Sequence, residues 1–470
     1  MKTQILSFIT LLQLLTVCHS GNSADPIRVE NHLELFVDDK MIESKQEIKS
    51  VLHRPKPAEV VLVTDQPWEG NTCAYYTLFQ DGERYRMYYR GSHYDTDRKT
   101  ATHEEVVCYA ESSDGIHWEK PNLGLFEFQG SKANNIVWKG VGSHNFTPFL
   151  DSNPDCHPSS QYKALGRGRS LRVGDTESRH GLFAFQSADG IHWELMHEEP
   201  VITEGAFDSQ NLAFYDPIAG EYREYHRWFN QGVRDIMFCT SKDFRNWTKP
   251  QGLTYIQARR EHLYTNAITP YFRSPQLYIG FPTRYLPDQG SRVEPTLMTS
   301  RDGMTFQRWS EPLIPEDAPS DRSGNRSNYM ASGILELPGS DSELSVYATE
   351  AYYTGPDSRL RRFTFRTDGF VSLRSESDPG SLTTKSVLFS SKQLQINFKT
   401  DAGGEIRIAI LDERDQTVDG FGLEDCIPIR GDDISRKVQW KGDSTLESLE
   451  GKVIKLRIQL INADLFAVQF

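Results

Sequence analysis

The stretch ESSDGIHWEKP, residues 111–121, decides how the rest of the chain is read. It returns as QSADGIHWELM at 186–196, as TSKDFRNWTKP at 240–250 and as TSRDGMTFQRW at 299–309. A weaker copy, FRTDGFVSL at 365–373, supplies a fifth aspartate. The motif aspartates Asp114, Asp189, Asp243, Asp302 and Asp368 follow one another at intervals of 54 to 75 residues. A period of this size holds about four strands, which is what one blade of a β-propeller needs. Within the motif, Ser and Asp side chains can take nearby backbone N–H groups and hold a tight turn. Gly115, Gly190 and Gly303 can adopt the positive φ that such a turn demands. Trp118, Trp193, Trp247 and Phe306 are large enough to pack between neighbouring blades. The repeats are therefore read as blade corners, and His117 and His192 as shared corner features rather than ligands.

The segments between the corners alternate with period two. CAYYTLFQDGERYRMYYRG (73–91) reads as two aromatic-rich strands around the Asp81–Gly82 turn. LAFYDPIAGEYREYHRWF (212–229), ITPYFRSPQLYIGFPTRY (268–285) and GILELPGSDSELSVYATEAYY (333–353) repeat the design. Long amphipathic helical patterns are nearly absent. The texture changes near SESDPGSLTTK (375–385), after which cleaner alternation resumes with Gly and Asp turns. The expected fold is all-β: a five-bladed β-propeller over 25–378, followed by a small β-sandwich over 379–470.

Residues 1–24 join one lysine, an apolar run from Ile5 to Val17 and a small-residue end, the pattern of a secretory signal peptide. A secreted or periplasmic protein is expected. Val17 fits poorly before a lipid-modified Cys18, and no later stretch is long and apolar enough to span a bilayer. Five further cysteines, Cys73, Cys108, Cys156, Cys239 and Cys426, match no zinc spacing and read as free thiols. The formal net charge is −13, with no Lys/Arg block, which excludes a nucleic-acid footprint. P-loop, HExxH and GxSxG motifs are absent. The Asp- and Gly-rich segments 172–181 and 315–325 lack EF-hand spacing, so neither Ca²⁺ nor any other cofactor is assigned.

Five blades of S-x-D-G-x-x-W type, followed by a small sandwich, resemble the glycoside hydrolase superfamily of families 32, 43, 62 and 68. LELFVDDKMIE, PWEG and FDSQNLAFYD also resemble a group of secreted bacterial proteins. The resemblance covers nearly the whole chain in layout. It stops short of the catalytic motifs: the W-M-N-D-P-N-G, R-D-P and E-C signatures of family 32 are missing. In that superfamily the active site lies at one mouth of the central channel, on residues that begin the innermost strand of each blade.

Those strand starts supply the candidates. They are Trp68, Glu69 and Asn71; His144 and Asn145; Asp208, Gln210 and Asn211; Glu261, His262 and Asn266; and Asn328 and Tyr329. Glycoside hydrolysis needs a pair of carboxylates, and Glu69, Asp208 and Glu261 occupy equivalent positions. Glu261 is assigned as general acid, Glu69 as base or nucleophile, and Asp208 as the orienting acid. Arg90, His226, Arg227, Arg284 and Glu350 lie where second strands end and are counted as substrate-binding. The arginines raise the option of an anionic glycan, since guanidinium binds carboxylate or sulfate through paired N–H groups. The expected activity is hydrolysis of a plant or algal poly- or oligosaccharide. The alternatives are a non-catalytic carbohydrate-binding propeller and a sialidase-like enzyme.

Overall fold

The computed structural model describes residues 25–29, 32–170, 179–256, 258–315, 328–389, 391–442 and 444–470. The signal-peptide expectation (1–24) and most of the two Asp/Gly-rich loops lie outside the described residues. Among the described residues no helix is long and apolar enough to cross a membrane.

Five sheets carry the propeller. The first runs Ala74–Asp81, Arg84–Gly91, Val106–Ser112, Ile136–Lys139. The second runs Thr147–Leu150, Tyr162–Ser170, Arg179–Ser187, Glu194–Leu195. The third runs Leu212–Asp216, Glu221–Asn230, Val233–Ser241, Gln251–Gly252. The fourth is built on Thr269–Tyr271, Ser274–Gly280, Met298–Ser300 and Thr305–Arg308, with Thr254–Ile256 added in parallel. The fifth pairs Leu335–Glu336, Glu343–Glu350 and Arg359–Arg366 with Lys56–Val63 from near the start of the chain.

Shared apolar clusters show that the five sheets form a ring. Tyr88 and Tyr109 of the first pack with Phe146 and Phe185 of the second. Leu165 meets Tyr222 and Phe244 of the third, Tyr225 meets Tyr278 and Phe306 of the fourth, and Ile279 meets Val346 and Phe363 of the fifth. Tyr347 of the fifth then packs with Tyr76 and Tyr89 of the first.

The repeated motif does what its residues imply. Asp114 Oδ1 accepts from the backbone N–H groups of Ile116 and His117, each at 2.8 Å, and Asp189 repeats this with Ile191 and His192. Gly115, Gly190 and Gly303 have φ of 72°, 76° and 74°. Each of these three corners is also clasped by a tyrosine of the neighbouring blade. Tyr347, Tyr88 and Tyr225 hydroxyls donate to the carbonyls of Gly115, Gly190 and Gly303 at 2.7–2.8 Å. Phe244 stands where the other corners have glycine, and its φ of 62° is the left-handed conformation a bulky side chain resists.

The C-terminal unit is a β-sandwich built on two 17-residue strands, Gln395–Leu411 and Val453–Gln469, around Ile396, Ile408, Leu456 and Leu465. Its ten-stranded sheet also recruits Ile27–Val29, Leu33–Leu35, Ile42–Gln46 and Lys49–Leu52. This corrects the expectation that the propeller begins at residue 25. The early segment alternates like a blade strand, and only pairing distant in sequence assigns it elsewhere. The cysteines Cys73, Cys108, Cys156, Cys239 and Cys426 are free thiols.

Candidate active site

A cavity of about 350 Å³ opens where all five blades contribute a residue. Tyr75 and Arg90 come from the first blade, His144 precedes the second, and Asp208 and Gln210 precede the third. Tyr285 lies in, and Tyr264 directly follows a strand of, a small separate sheet within the fourth repeat, His262–Leu263, Thr283–Leu286 and Arg292–Pro295. Tyr329 and Tyr352 come from the fifth blade, with Tyr353 beside them. The inner strand of the first blade bulges between Ala74 and Thr77, and Tyr75 takes a φ of 58° there. A bulge of this kind re-aims a side chain, and here it serves the cavity.

The ionisable centre is a chain of contacts across three blades. His144 Nδ1 lies 2.9 Å from Glu105 Oε2, and its Nε2 lies 2.8 Å from Asp208 Oδ1. Only a ring carrying protons on both nitrogens can donate to both carboxylates. Arg167 Nη1 stands 3.4 Å from the same Asp208 oxygen. The hydrogen bond from His144 is the main reason the Asp208 carboxyl sits well below the usual carboxylate range. Burial works to raise Glu105, but the bond to His144 and the charge of Arg90 outweigh it and hold Glu105 low. Arg90 donates to the Thr72 carbonyl at 2.7 Å and to the Tyr352 hydroxyl at 2.9 Å, and its guanidinium lies 5.0 Å from the Tyr75 ring centre. Burial pushes the Tyr352 phenol up to about 12 and Tyr75 well above its ordinary value, so both stay neutral hydrogen-bonding faces.

Asp208, Arg90 and Tyr329, among the expected site residues, line this cavity. The three expected carboxylates do not share it. Glu69 is fully buried behind the first blade, where it accepts from Tyr89 at 2.5 Å and Lys120 at 2.7 Å, and burial raises its carboxyl. Glu261 is paired at 3.2 Å with both Arg284 and Arg308. Arg284 also pairs with buried Glu294, and Glu350 is held by Arg359 and Arg361 at 2.6 Å each.

The expected amides build loops instead of meeting a ligand. Asn145 Nδ2 donates to the Phe207 carbonyl at 2.6 Å, while its Oδ1 accepts from the Arg167 backbone at 2.8 Å. Asn211 donates to the Phe207 and Ser209 carbonyls, and Asn266 to those of Gln210 and Tyr225. Together they brace the loop that carries Asp208. Asn71 is spent on Tyr94 and Gly355, and the Trp68 indole on Asn135. His226 is fully buried, 2.7 Å from Glu224. With Cys239 these two form the one group among the described residues whose ligand atoms, all within 4.8 Å, could hold a metal ion. Burial keeps the Cys239 thiol protonated.

No motif in the sequence singles out Tyr75, Tyr264, Tyr285, Tyr352 and Tyr353, and His144 is marked only as a strand-start residue. The paired tyrosines of TEAYY (349–353) were the available signal. What turns them inward, φ of 56° at Ala351 and 58° at Tyr353, leaves no mark in residue type.

No family profile and no curated protein matches the chain. Solved structures similar to it include a β-1,2-mannobiose phosphorylase from Listeria innocua, at 12% identity over 68% of this chain and 97% of that one, with a TM-score of 0.44. The catalytic domain of a family 62 α-L-arabinofuranosidase of Coprinopsis cinerea is similar at 9% identity, 67% and 97% coverage and a TM-score of 0.43. A family 32 β-fructofuranosidase of Bombyx mori is similar at 11% identity, 89% and 93% coverage and a TM-score of 0.40.

Proposed function

We propose that the protein is a glycoside hydrolase whose active site is this cavity, with Asp208 as the acting carboxylate. One observation carries the reading. A cavity walled by tyrosines holds a single half-exposed carboxylate, and that carboxylate is hydrogen-bonded to a histidine. Aromatic faces suit sugar rings, and the few convergent polar groups suit hydroxyls. Asp208, kept ionised by His144, is fit to activate water and unfit to donate a proton. His144 is the group beside it that carries one.

In this scheme a water oxygen bonds to the anomeric carbon as the glycosidic bond breaks. Asp208 takes the water proton, and His144 gives its Nε2 proton to the departing sugar oxygen. Inversion needs roughly 6.5–9.5 Å between the two groups. The scheme requires the 2.8 Å contact to open as the sugar enters. Its return after release hands the proton from Asp208 back to His144.

The test is product release from a panel of plant and algal polysaccharides and aryl glycosides. Asp208→Asn should abolish release, His144→Gln should lower it roughly 10²–10⁴-fold, and Glu261→Gln should leave most of it. Full activity in Asp208→Asn would sink the assignment. The second reading, a non-catalytic sugar-binding propeller, draws on the confinement of Glu69 and Glu261 to ion pairs outside the cavity. Binding without release by the wild type on every substrate would select it.

A further inference from the structure

We propose that Arg227 and Arg234 form an oxyanion subsite at the edge of the cavity, which takes the carboxylate or sulfate group of an acidic sugar. The proposal rests on the glycan reading above and narrows its substrate class.

The arginines of the propeller interior divide into two groups. Arg284 and Arg308 are each paired with a glutamate, Arg359 and Arg361 share Glu350, and Arg90 has Glu105 at 3.5 Å. Arg227 and Arg234 form no ion pair among the described residues. Arg227 is only 6% exposed, and among the described residues its one side-chain hydrogen bond runs from Nε to the Ala206 carbonyl at 3.1 Å. Arg234 Nε is buried and meets no hydrogen-bond partner. Its Nη1 reaches only His262 Nδ1, at 3.5 Å.

The two guanidiniums also share the same aromatic rings. They lie 5.0 and 5.4 Å from the centre of the same ring, Tyr264, and 5.6 and 5.5 Å from that of Phe229. Arg234 is 5.2 Å from the Tyr285 ring as well. Tyr264 and Tyr285 line the cavity, so the pair borders the place where a sugar would sit. Phe229 is 47% exposed and extends the aromatic wall outward.

A buried cation such as Arg227, with a second, partly buried cation beside it, is costly unless an opposite charge meets it. Cation–π contact with the rings offsets part of that cost but offers no acceptor for the N–H groups. A guanidinium has five N–H donors, and most of these ten have no partner among the described residues. An oxyanion accepts such donors in pairs. Asp208 feels the field of Arg227, yet it is bonded to His144 and Arg167 and leaves the arginine pair uncompensated.

The experiment is calorimetric titration of the wild type, Arg227→Gln, Arg234→Gln and Arg227→Lys. The ligands are two matched pairs: oligogalacturonate against its carboxyl-reduced form, and a sulfated galactan oligosaccharide against its desulfated form. A parallel arm follows the melting temperature with inorganic sulfate against chloride at equal ionic strength. The wild type should bind one charged member roughly tenfold or more tighter than its neutral twin. That ratio should fall towards one in both glutamine variants and fall partway in Arg227→Lys. Whichever pair shows the preference identifies carboxylate or sulfate. Equal binding of charged and neutral twins by the wild type overturns the subsite and leaves the glycan reading standing. If no oligosaccharide binds, the glycan reading fails and the sulfate arm decides. A rise in melting temperature that both glutamine variants lose keeps the subsite, and no rise overturns it.

Discussion

At the blade corners, Asp114 and Asp189 each meet a histidine three residues further on, at 2.7 Å. At the mouth, Asp208 meets His144 from 64 residues away, at 2.8 Å. The chemical groups are the same and the surroundings are opposite. Each corner aspartate spends one oxygen on two backbone N–H groups and the other on its histidine, so nothing is left to offer. Asp208 is as exposed as the corner aspartates, but it takes no backbone donor and lines the cavity. Local closure makes an aspartate a structural pin. Long-range support from Asn145, Asn211 and Asn266 leaves one exposed at a cavity edge and able to react.

The largest expected effect falls on activity. Asp208→Asn should remove roughly 10³-fold or more of any glycan turnover while the melting temperature stays near that of the wild type. The mirror-image variant, Asp189→Asn, should keep turnover and lower the melting temperature. Side-by-side melting curves and rate assays check both, and a corner variant that loses rate without stability would break the contrast. Glu69→Ala comes next. It strips a buried carboxylate from Lys120 and Tyr89, for a cost of about 3 kcal/mol or more, to be read by urea denaturation.

The corners also predict an acid dependence. Asp243 is pulled down to about 2; burial opposes this, and the N–H groups of Asn246 and Arg245 overcome it. A carboxyl whose folded value lies below its unfolded value, near 4, stabilises the fold above about pH 4. That contribution is lost as pH falls through the folded value. Stability measured from pH 5 to pH 2 should therefore fall less steeply in Asp243→Asn than in the wild type. The smallest effect is expected for Glu261→Gln, which leaves Arg284 with Glu294 and should change turnover less than tenfold in the same rate assay.

The same contrast explains what could be read beforehand. Corner chemistry is encoded within a few residues, so S-x-D-G-x-x-W announces the ring of blades in plain sequence. The mouth is assembled from strand starts that share no motif, and equivalence of position alone suggested Glu69, Asp208 and Glu261 as a set. Position could not tell which acid already has a partner. Lys120 comes 51 residues after Glu69, and Arg308 comes 47 after Glu261. Asp208 has a histidine and a distant arginine instead, and it faces the cavity. The tyrosine wall was hidden for a different reason, since tyrosine is common throughout the strands and backbone dihedrals decide which ones turn inward.

The strand Lys56–Val63 has a consequence for how the ring comes into being. It completes the fifth blade, and the bond from Arg361 to the Ala58 carbonyl spans 303 residues of chain. During synthesis that strand emerges early and waits, unpaired, until the final blade is made. Closing so long a loop is entropically slow, and non-local β pairing lengthens folding times. Ring closure should thus be the late, rate-limiting event. The waiting strand carries its own protection against wrong partners: Pro55 just before it, Pro57 near its start, and the charged Lys56 and Glu59.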